Sequence, residues 1–296
     1  MSRAVPLAAA ADRGGAALRR IAALAVVAIL LVAVYHRAAA TLWNVWTTND
    51  DYSHGPLVPL VATAMAWTSR ARLAGLPSRT DARGLALVAL ACALQIVGMR
   101  ADVFALQGYS LVVMASGLVW TFLGAAWLRA LAFPLGYLVF MLPFPPIVMN
   151  GLAYALKEIT VRISTRAAEA LGVQLQQSGM TLYLASGVLR VENPCSGLRS
   201  LLALLATATA FARFQPGALW RRAALLAAGI PIAVLGNAVR LTLLILIGHY
   251  AGVAKATGWV HDASGYVLFA AALAALFAMR RLLTPRGGAG AVGEGA

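Results

Sequence analysis

The sequence has few charged residues, very few acidic ones and almost no cysteine. Only 11% of its 296 residues are charged and 61% are hydrophobic, which excludes an ordinary soluble globular domain. Its two cysteines, Cys92 and Cys195, offer neither a disulfide framework nor the ligand spacing of a metal site. The chain also lacks an internal repeat, a glycine-rich phosphate loop and an HExxH pair. We therefore expect no metal and no cofactor.

The scarcity of acidic residues leaves a net charge of +14. The basic residues lie in short clusters between apolar runs, not along one helical face or in a tail. Membrane topology explains this pattern better than nucleic-acid binding. We therefore expect membrane lipid as a partner and no nucleic acid.

Eight apolar runs predict an all-α polytopic membrane protein with about eight transmembrane helices, since a full span needs about twenty residues. The runs cover residues 20–35, 55–68, 84–99, 105–123, 125–142, 197–212, 223–248 and 263–279. The second run contains Pro56 and Pro59 and follows Asp50 and Asp51, which enter hydrocarbon only at high cost.

Arginine and lysine collect after every even-numbered run, which predicts that both termini are cytoplasmic. The first run is expected to be a retained helix and not a cleaved signal peptide. We divide the chain into a cytoplasmic N-terminal tail (1–19), a transmembrane domain (20–283) and a disordered, Gly- and Ala-rich C-terminal tail (284–296).

The longest stretch between spans, residues 143–194, is predicted to lie on the outer side. Residues 150–171 have an apolar face at helical spacing and predict an interfacial amphipathic helix; that face comprises Leu152, Leu156, Ile159, Ile163 and Ala167. Residues 180–192 alternate around Ser186-Gly187, which predicts a small β-hairpin leading into Cys195.

Cys195 is the candidate nucleophile. Asn193 is a plausible N-cap and Pro194 suits the first helical position, so Cys195 is predicted to lie in the first turn of a helix. Helix N-termini and nearby cations both lower the pKa of a thiol. The alternative is that Cys195 is a small apolar filler, the interpretation we give to the mid-span Cys92.

Arg240 lies within an apolar run, where a cation costs about 2.5 kcal/mol or more and needs partners or water. Asn237, three residues earlier, lies on the same helical face. The alternative is an arginine that extends toward the membrane surface.

His261 begins the last span and is a candidate acid or base, with His54 and His249 as rivals on the same side and His36 a weaker one. Arg199, four residues after Cys195, is predicted to be a substrate clamp or a neighbour of the thiolate. Gly265, one turn after His261, would let another helix pack closely.

Four ordered motifs resemble the exosortase and archaeosortase family of membrane cysteine transpeptidases. The residues that carry the resemblance are Pro194-Cys195-Ser196-Gly197-Leu198-Arg199-Ser200, Asn237 with Arg240, His261 with Gly265, and the early segment Asp51-Tyr52-Ser53-His54-Gly55-Pro56-Leu57-Val58-Pro59.

The resemblance implies Cys195, Arg240 and His261 as the catalytic set, with Arg199, Asn237, Asn193 and His54 in supporting roles. It implies a bacterial inner-membrane enzyme with a periplasmic active site. Its substrates would be secreted proteins whose C-terminal sorting signal has a Pro-containing motif, a transmembrane helix and a basic tail. Water, a glycan or an amine would accept the cleaved protein.

A second hypothesis is a non-enzymatic membrane component, either a transporter or a scaffold for exopolysaccharide export, in which Arg240 binds an anionic ligand. It predicts function without a thiol. A transporter should also have inverted repeats or broken helices in matching halves, and the sequence has no such symmetry.

Overall fold

A computed structural model describes residues 5–191 and 197–284 of the chain. The chain forms two compact units, residues 1–44 and residues 45–296. Its α-helices are α1 (Val5–Thr48), α2 (Leu57–Thr68), α3 (Arg70–Ala74), α4 (Gly84–Arg100), α5 (Phe104–Leu123), α6 (Ala125–Tyr137), α7 (Pro146–Ala170), α8 (Leu198–Arg213), α9 (Leu219–Ala251), α10 (Val253–Thr257) and α11 (Trp259–Leu283). Its strands are β1 (Leu175–Ser178), β2 (Thr181–Leu184) and β3 (Gly187–Arg190).

Every predicted apolar run is helical, and the protein is a mostly helical polytopic membrane protein. Within residues 5–191 and 197–284, four helices are long and apolar enough to cross a membrane: Ile21–Thr48 within α1, α5, α9 and α11. The helices α2, α4 and α8 have 12, 17 and 16 residues. At 1.5 Å per residue they measure about 18 to 26 Å, short of a hydrocarbon core of about 30 Å. The count of eight spans is therefore not confirmed.

A fifth crossing arises only if α6 and α7 form one broken span. Ala125–Met141 and Pro146–Ala170 are bent by 75° at a short break. Pro145 and Pro146 stand at that break, and proline cannot continue a helix interior. The chain therefore bends at this proline cluster.

The predicted helix over residues 150–171 is confirmed as α7, and two isoleucines of its apolar face lie outside the protein core. Ile159 and Ile163 are exposed, at 46% and 38% of their surface, whereas Thr160 and Ser164 are buried. The Ser164 hydroxyl donates to the Ala238 carbonyl on α9 at 2.8 Å. The helix therefore packs on α9 through small polar side chains, and part of its apolar side remains open.

The predicted hairpin is confirmed and has a third strand. The sheet is antiparallel with order β1-β2-β3. Leu184 pairs with Gly187, so the tight turn is Ala185-Ser186, one residue earlier than predicted. One face of the sheet, with Leu182 and Leu189, packs in an apolar cluster with α7 and with Leu241 of α9.

The helices α4 and α5 pack closely through glycines. A Cβ at Gly117 of α5 would lie 2.8 Å from the backbone nitrogen of Val88 on α4. About two helical turns from this contact, the buried Ser110 hydroxyl of α5 donates to Gln95 Oε1 of α4 at 2.9 Å. Small residues and buried hydrogen bonds are the usual means of joining helices in a membrane, where the hydrophobic effect between them is weak.

Replacing Gly117 by Ala should lower the free energy of unfolding by about 1–3 kcal/mol, because the new methyl overlaps the α4 backbone. Gly151→Ala is the matched control. A Cβ at Gly151 on α7 meets nothing within 4 Å, so the better helix former should be neutral or stabilising by about 0.5–1 kcal/mol. Thermal denaturation in detergent measures both, and equal shifts would contradict the assigned glycine contact.

Candidate active site

The flanks of the candidate nucleophile are described, although Asn193 and Cys195 themselves fall in residues 192–196, outside the described residues. The chain resumes at Gly197, which is the N-cap of α8 and has a φ of +76°. A residue in the left-handed region cannot continue a helix, so α8 begins at Leu198. The prediction of one helix running from Pro194 into the apolar run is wrong for this reason.

Gly197 lies directly against Asn237. A Cβ on Gly197 would come within 2.8 Å of the Asn237 amide nitrogen. Position 197 therefore requires glycine for two reasons: its positive φ and its close contact with Asn237. Asn237 is buried in α9 and donates its Nδ2–H to the Thr160 hydroxyl of α7 at 3.2 Å. The start of α8, the middle of α9 and α7 therefore meet at one side chain.

Arg240, also on α9, contacts the first turns of α11. Its Nη2 donates to the His261 carbonyl at 2.8 Å, and its Nε donates to the Ser264 hydroxyl at 3.3 Å. Ser264 in turn donates to the same carbonyl at 2.9 Å. A Cβ at Gly265 would lie 3.3 Å from the guanidinium, so the predicted close approach at this glycine is made by the Arg240 side chain. The half-buried Arg240 is held within the helix bundle.

Asn237 and Arg240 are three residues apart on α9, about 4.5 Å along its axis and on one face. One touches Gly197, two residues after Cys195, and the other touches His261. The sequence motifs on α8, α9 and α11 therefore converge on one turn of α9.

The rival His249 lies elsewhere on α9. It is nine residues after Arg240, which is about 13 Å along the axis and half a turn around it. Its ring packs edge-on against Tyr250, with 4.7 Å between ring centroids. The helix geometry thus separates His249 from Arg240, whereas the backbone carbonyl of His261 contacts the Arg240 guanidinium.

Arg199 forms an ion pair with Asp50, at 3.4 Å between Nη1 and Oδ1. Both side chains are substantially exposed, at 47% and 75%, so the pair contributes little to stability. Asp50 begins a 3₁₀ helix, Asp50–Tyr52, that packs near the start of α8. The helix that carries Arg199 begins at Leu198, so the expected helical face shared by Cys195 and Arg199 does not form within α8.

His54 belongs to a set of three polar contacts between residues 46–54 and residues 140–144. The His54 Nε2 donates to the Phe140 carbonyl at 3.2 Å, and the Trp46 indole donates to the Met141 carbonyl at 2.9 Å. The Tyr52 hydroxyl accepts from the Phe144 amide at 3.1 Å. In this structure His54 therefore holds the chain at the α6–α7 break, and it is not brought to Arg240.

Burial is the main cause that lowers the pKa of His54, and the nearby Arg199 charge lowers it further. The Phe140 and Asp51 carbonyls oppose this shift. Burial also raises the pKa of the Asp51 carboxyl, and so does the adjacent Asp50. A neutral imidazole that donates from Nε2 is the form that this geometry stabilises.

Sequence reasoning missed Thr160, Ser164 and Ser264, which position the site from α7 and α11. Thr160 and Ser164 are four residues apart, so a stripe of small polar residues along α7 was the available signal. Within residues 5–191 and 197–284, no three His, Cys, Asp or Glu side chains are arranged to hold a metal ion.

The model of the family described as transmembrane exosortase covers residues 46–278, a range that includes Cys195, Arg240 and His261. Neither the curated proteins nor the solved structures give a match to this chain.

His54→Gln should remove a pH dependence of stability. The pKa of His54 is below its ordinary value of 6.5 in the folded protein, so below that pH the unfolded chain binds the proton more readily. Stability due to His54 is therefore present at pH 7.5 and declines as the pH falls below about 6.5. Glutamine can still donate to the Phe140 carbonyl but does not titrate.

Thermal denaturation in detergent at pH 5, 6 and 7.5 measures this effect as the difference between wild type and variant. The difference should change with pH for His54→Gln. A pH-independent difference for His54→Gln would contradict the proposed burial of a neutral ring.

Proposed function

This chain belongs to the transmembrane exosortase family, and on that premise we propose that it is a membrane cysteine transpeptidase that cleaves C-terminal sorting signals of secreted proteins. The signal would consist of a Pro-containing motif, a transmembrane helix and a basic tail. The observation that carries the proposal is the convergence of Gly197, Asn237, Arg240 and His261 on one turn of α9.

The proposed nucleophile is the Cys195 thiolate. Chain geometry limits the distance between the Cα atoms of Cys195 and Gly197 to about 7 Å, and Gly197 touches Asn237. The thiolate attacks the peptide carbonyl just outside the membrane helix of the substrate. Its sulfur bonds to the carbonyl carbon, the C–N bond breaks, and the fragment with the helix and basic tail leaves as an amine.

In this proposal Arg240 stabilises the oxyanion of the tetrahedral intermediate or positions the substrate. Its contacts with His261 and Ser264 support the role, because a guanidinium fixed in advance needs no reorganisation as charge develops. A low local dielectric strengthens the interaction.

His261 would protonate the leaving amine and later accept a proton from the acceptor. The resolving nucleophile, an amine or water, then attacks the thioester carbonyl and releases the Cys195 sulfur. A periplasmic site in a bacterial inner membrane, with both termini cytoplasmic, completes the proposal. It fits the basic residues at the α8–α9 connection and after α11.

Cys195→Ala should reduce processing of a membrane substrate below detection while leaving the enzyme level in the membrane unchanged. Cys92→Ala is the control, since that exposed thiol lies on α4 and has no part in the proposed mechanism. Trapping a thioester with a substrate protein and locating it by mass spectrometry tests the same step directly. Processing that persists in Cys195→Ala would favour a non-enzymatic transporter or scaffold.

His261→Ala should lower the processing rate by about 100-fold or more, the usual effect of removing a general acid. His249→Ala should change it less than threefold, because His249 lies half a turn around α9 from Arg240. Initial rates in membranes with matched enzyme levels measure both. Equal losses in the two variants would contradict the assignment of His261.

A further inference from the structure

The strand β3 has an open edge. A two-residue turn joins β2 and β3, so Leu184 and Gly187 form a hydrogen-bonded pair, as do Leu182 and Leu189. The Val191 amide continues this ladder by donating to the Met180 carbonyl at 3.0 Å. By the alternation of an antiparallel ladder, the backbone groups of Val188 and Arg190 therefore point away from β2.

Among the residues that the structure describes, these outward N–H and C=O groups make no hydrogen bond. Both residues are exposed, and Val188 retains 46% of its surface. The element α10 packs against the face of β3 and not against its edge. A Cβ at Gly187, on the same face as the buried Leu189, would point at Val253 of α10. An edge of this kind is a template for another extended chain.

The sheet that carries this edge is anchored to the helices α7 and α9. Its buried face joins Val161 of α7 and Ile245 of α9 in one apolar cluster. At the turn, the Ser186 hydroxyl donates to the Gly248 carbonyl near the end of α9. An added strand would thus pair with a rigid edge, which reduces the entropy lost on binding.

The described residues on either side of residues 192–196 contact successively earlier positions of α9. Ser186 bonds the carbonyl of Gly248, Val191 packs in the cluster of Leu241, and Gly197 touches Asn237. Along α9, Gly248 and Asn237 are eleven residues apart, or about 16 Å. The direction of β3 is therefore from the end of α9 toward the turn that holds Arg240.

We propose that the open edge of β3 binds the extended segment of a substrate that precedes its scissile bond, as an added parallel strand that runs toward Cys195. The proposal rests on the proposed function and names the substrate subsite of that same site. It commits to a parallel strand because, in the proposed topology, a secreted protein approaches from the outer end of α9 and its next segment enters the membrane. The strand β3 likewise runs from that end of α9 toward its middle.

The outward backbone groups of β3 can form the complete set of hydrogen bonds that a parallel substrate strand requires. In a parallel ladder, one residue bonds through its N–H and C=O to the two residues that flank its opposite number. Val188 and Arg190 would together supply four such bonds to backbone groups, whatever the side chains of the substrate. Backbone pairing of this type holds substrates of different sequence in the same way. The position of the scissile carbonyl then depends on the register between the substrate strand and β3, and not on one side-chain pocket.

Two open edges of one sheet provide a matched experiment. Val188→Pro removes an outward N–H from β3, and Gln177→Pro removes the equivalent outward N–H from β1, on the opposite edge. Val188→Pro should lower kcat/KM for processing by about tenfold, mainly through KM, as expected for the loss of a backbone hydrogen bond. Gln177→Pro should remain within twofold of wild type.

Hydrogen exchange provides a readout that does not depend on turnover. The probe is a synthetic peptide of the ten residues that precede the transmembrane helix in a processed substrate, added to the Cys195→Ala variant. Exchange in residues 187–191 should slow by about tenfold or more, and exchange in residues 175–178 should not change. This measurement decides the question even if Val188→Pro is poorly folded.

The proposal is overturned if the peptide inhibits processing but leaves exchange in residues 187–191 unchanged, or if both proline variants behave alike. Protection of β3 that appears without peptide and grows with protein concentration would assign the edge to a second copy of the chain instead. Failure of the proposed function is distinct from either outcome, because it appears as processing that survives in Cys195→Ala.

Discussion

A guanidinium within the helix bundle organises the candidate site. A cation in an apolar helix is tolerated only when partners compensate its desolvation, and Arg240 finds them on α11, at the His261 carbonyl and the Ser264 hydroxyl. This requirement ties α9 to the first turns of α11. It also explains the glycine at position 265, where a side chain would crowd the guanidinium.

The helix α9 serves as the common scaffold for everything else around the site. Its Asn237 touches the end of the Cys195 segment and bonds α7, and its Leu241 and Ile245 support the sheet. Successive turns of one helix thus set the positions of the nucleophile's flank, the cation and the strand that leads to the nucleophile. Precision in such a site comes from a rigid element and not from the loops it holds.

Much of this architecture could be predicted from the sequence. Apolar runs gave the helices because hydrophobic periodicity depends only on local spacing. Alternation gave the hairpin before Cys195, with its turn displaced by one residue. The spacing of Asn237 and Arg240, and the position of His261 at the start of the last helix, were enough to predict that these residues approach one another.

The remainder could not be predicted because it depends on partners distant in the chain. Periodicity identified the apolar side of α7 but not the Thr160–Asn237 contact that decides which side is buried. The start of α8 depends on the φ of Gly197, and that conformation is fixed by packing on Asn237. Runs of 12 to 17 residues are apolar enough to resemble spans, yet their length falls short of one.

The three hydrogen bonds of Trp46, Tyr52 and His54 have a mechanical consequence. They come from a stretch of nine residues and all end on the chain between Phe140 and Phe144, so the two segments form one stiff joint across the α6–α7 bend. Asp50 lies inside that stretch and pairs with Arg199 in the first turn of α8. The chain at the α6–α7 break and the first turn of α8 therefore contact the same nine residues.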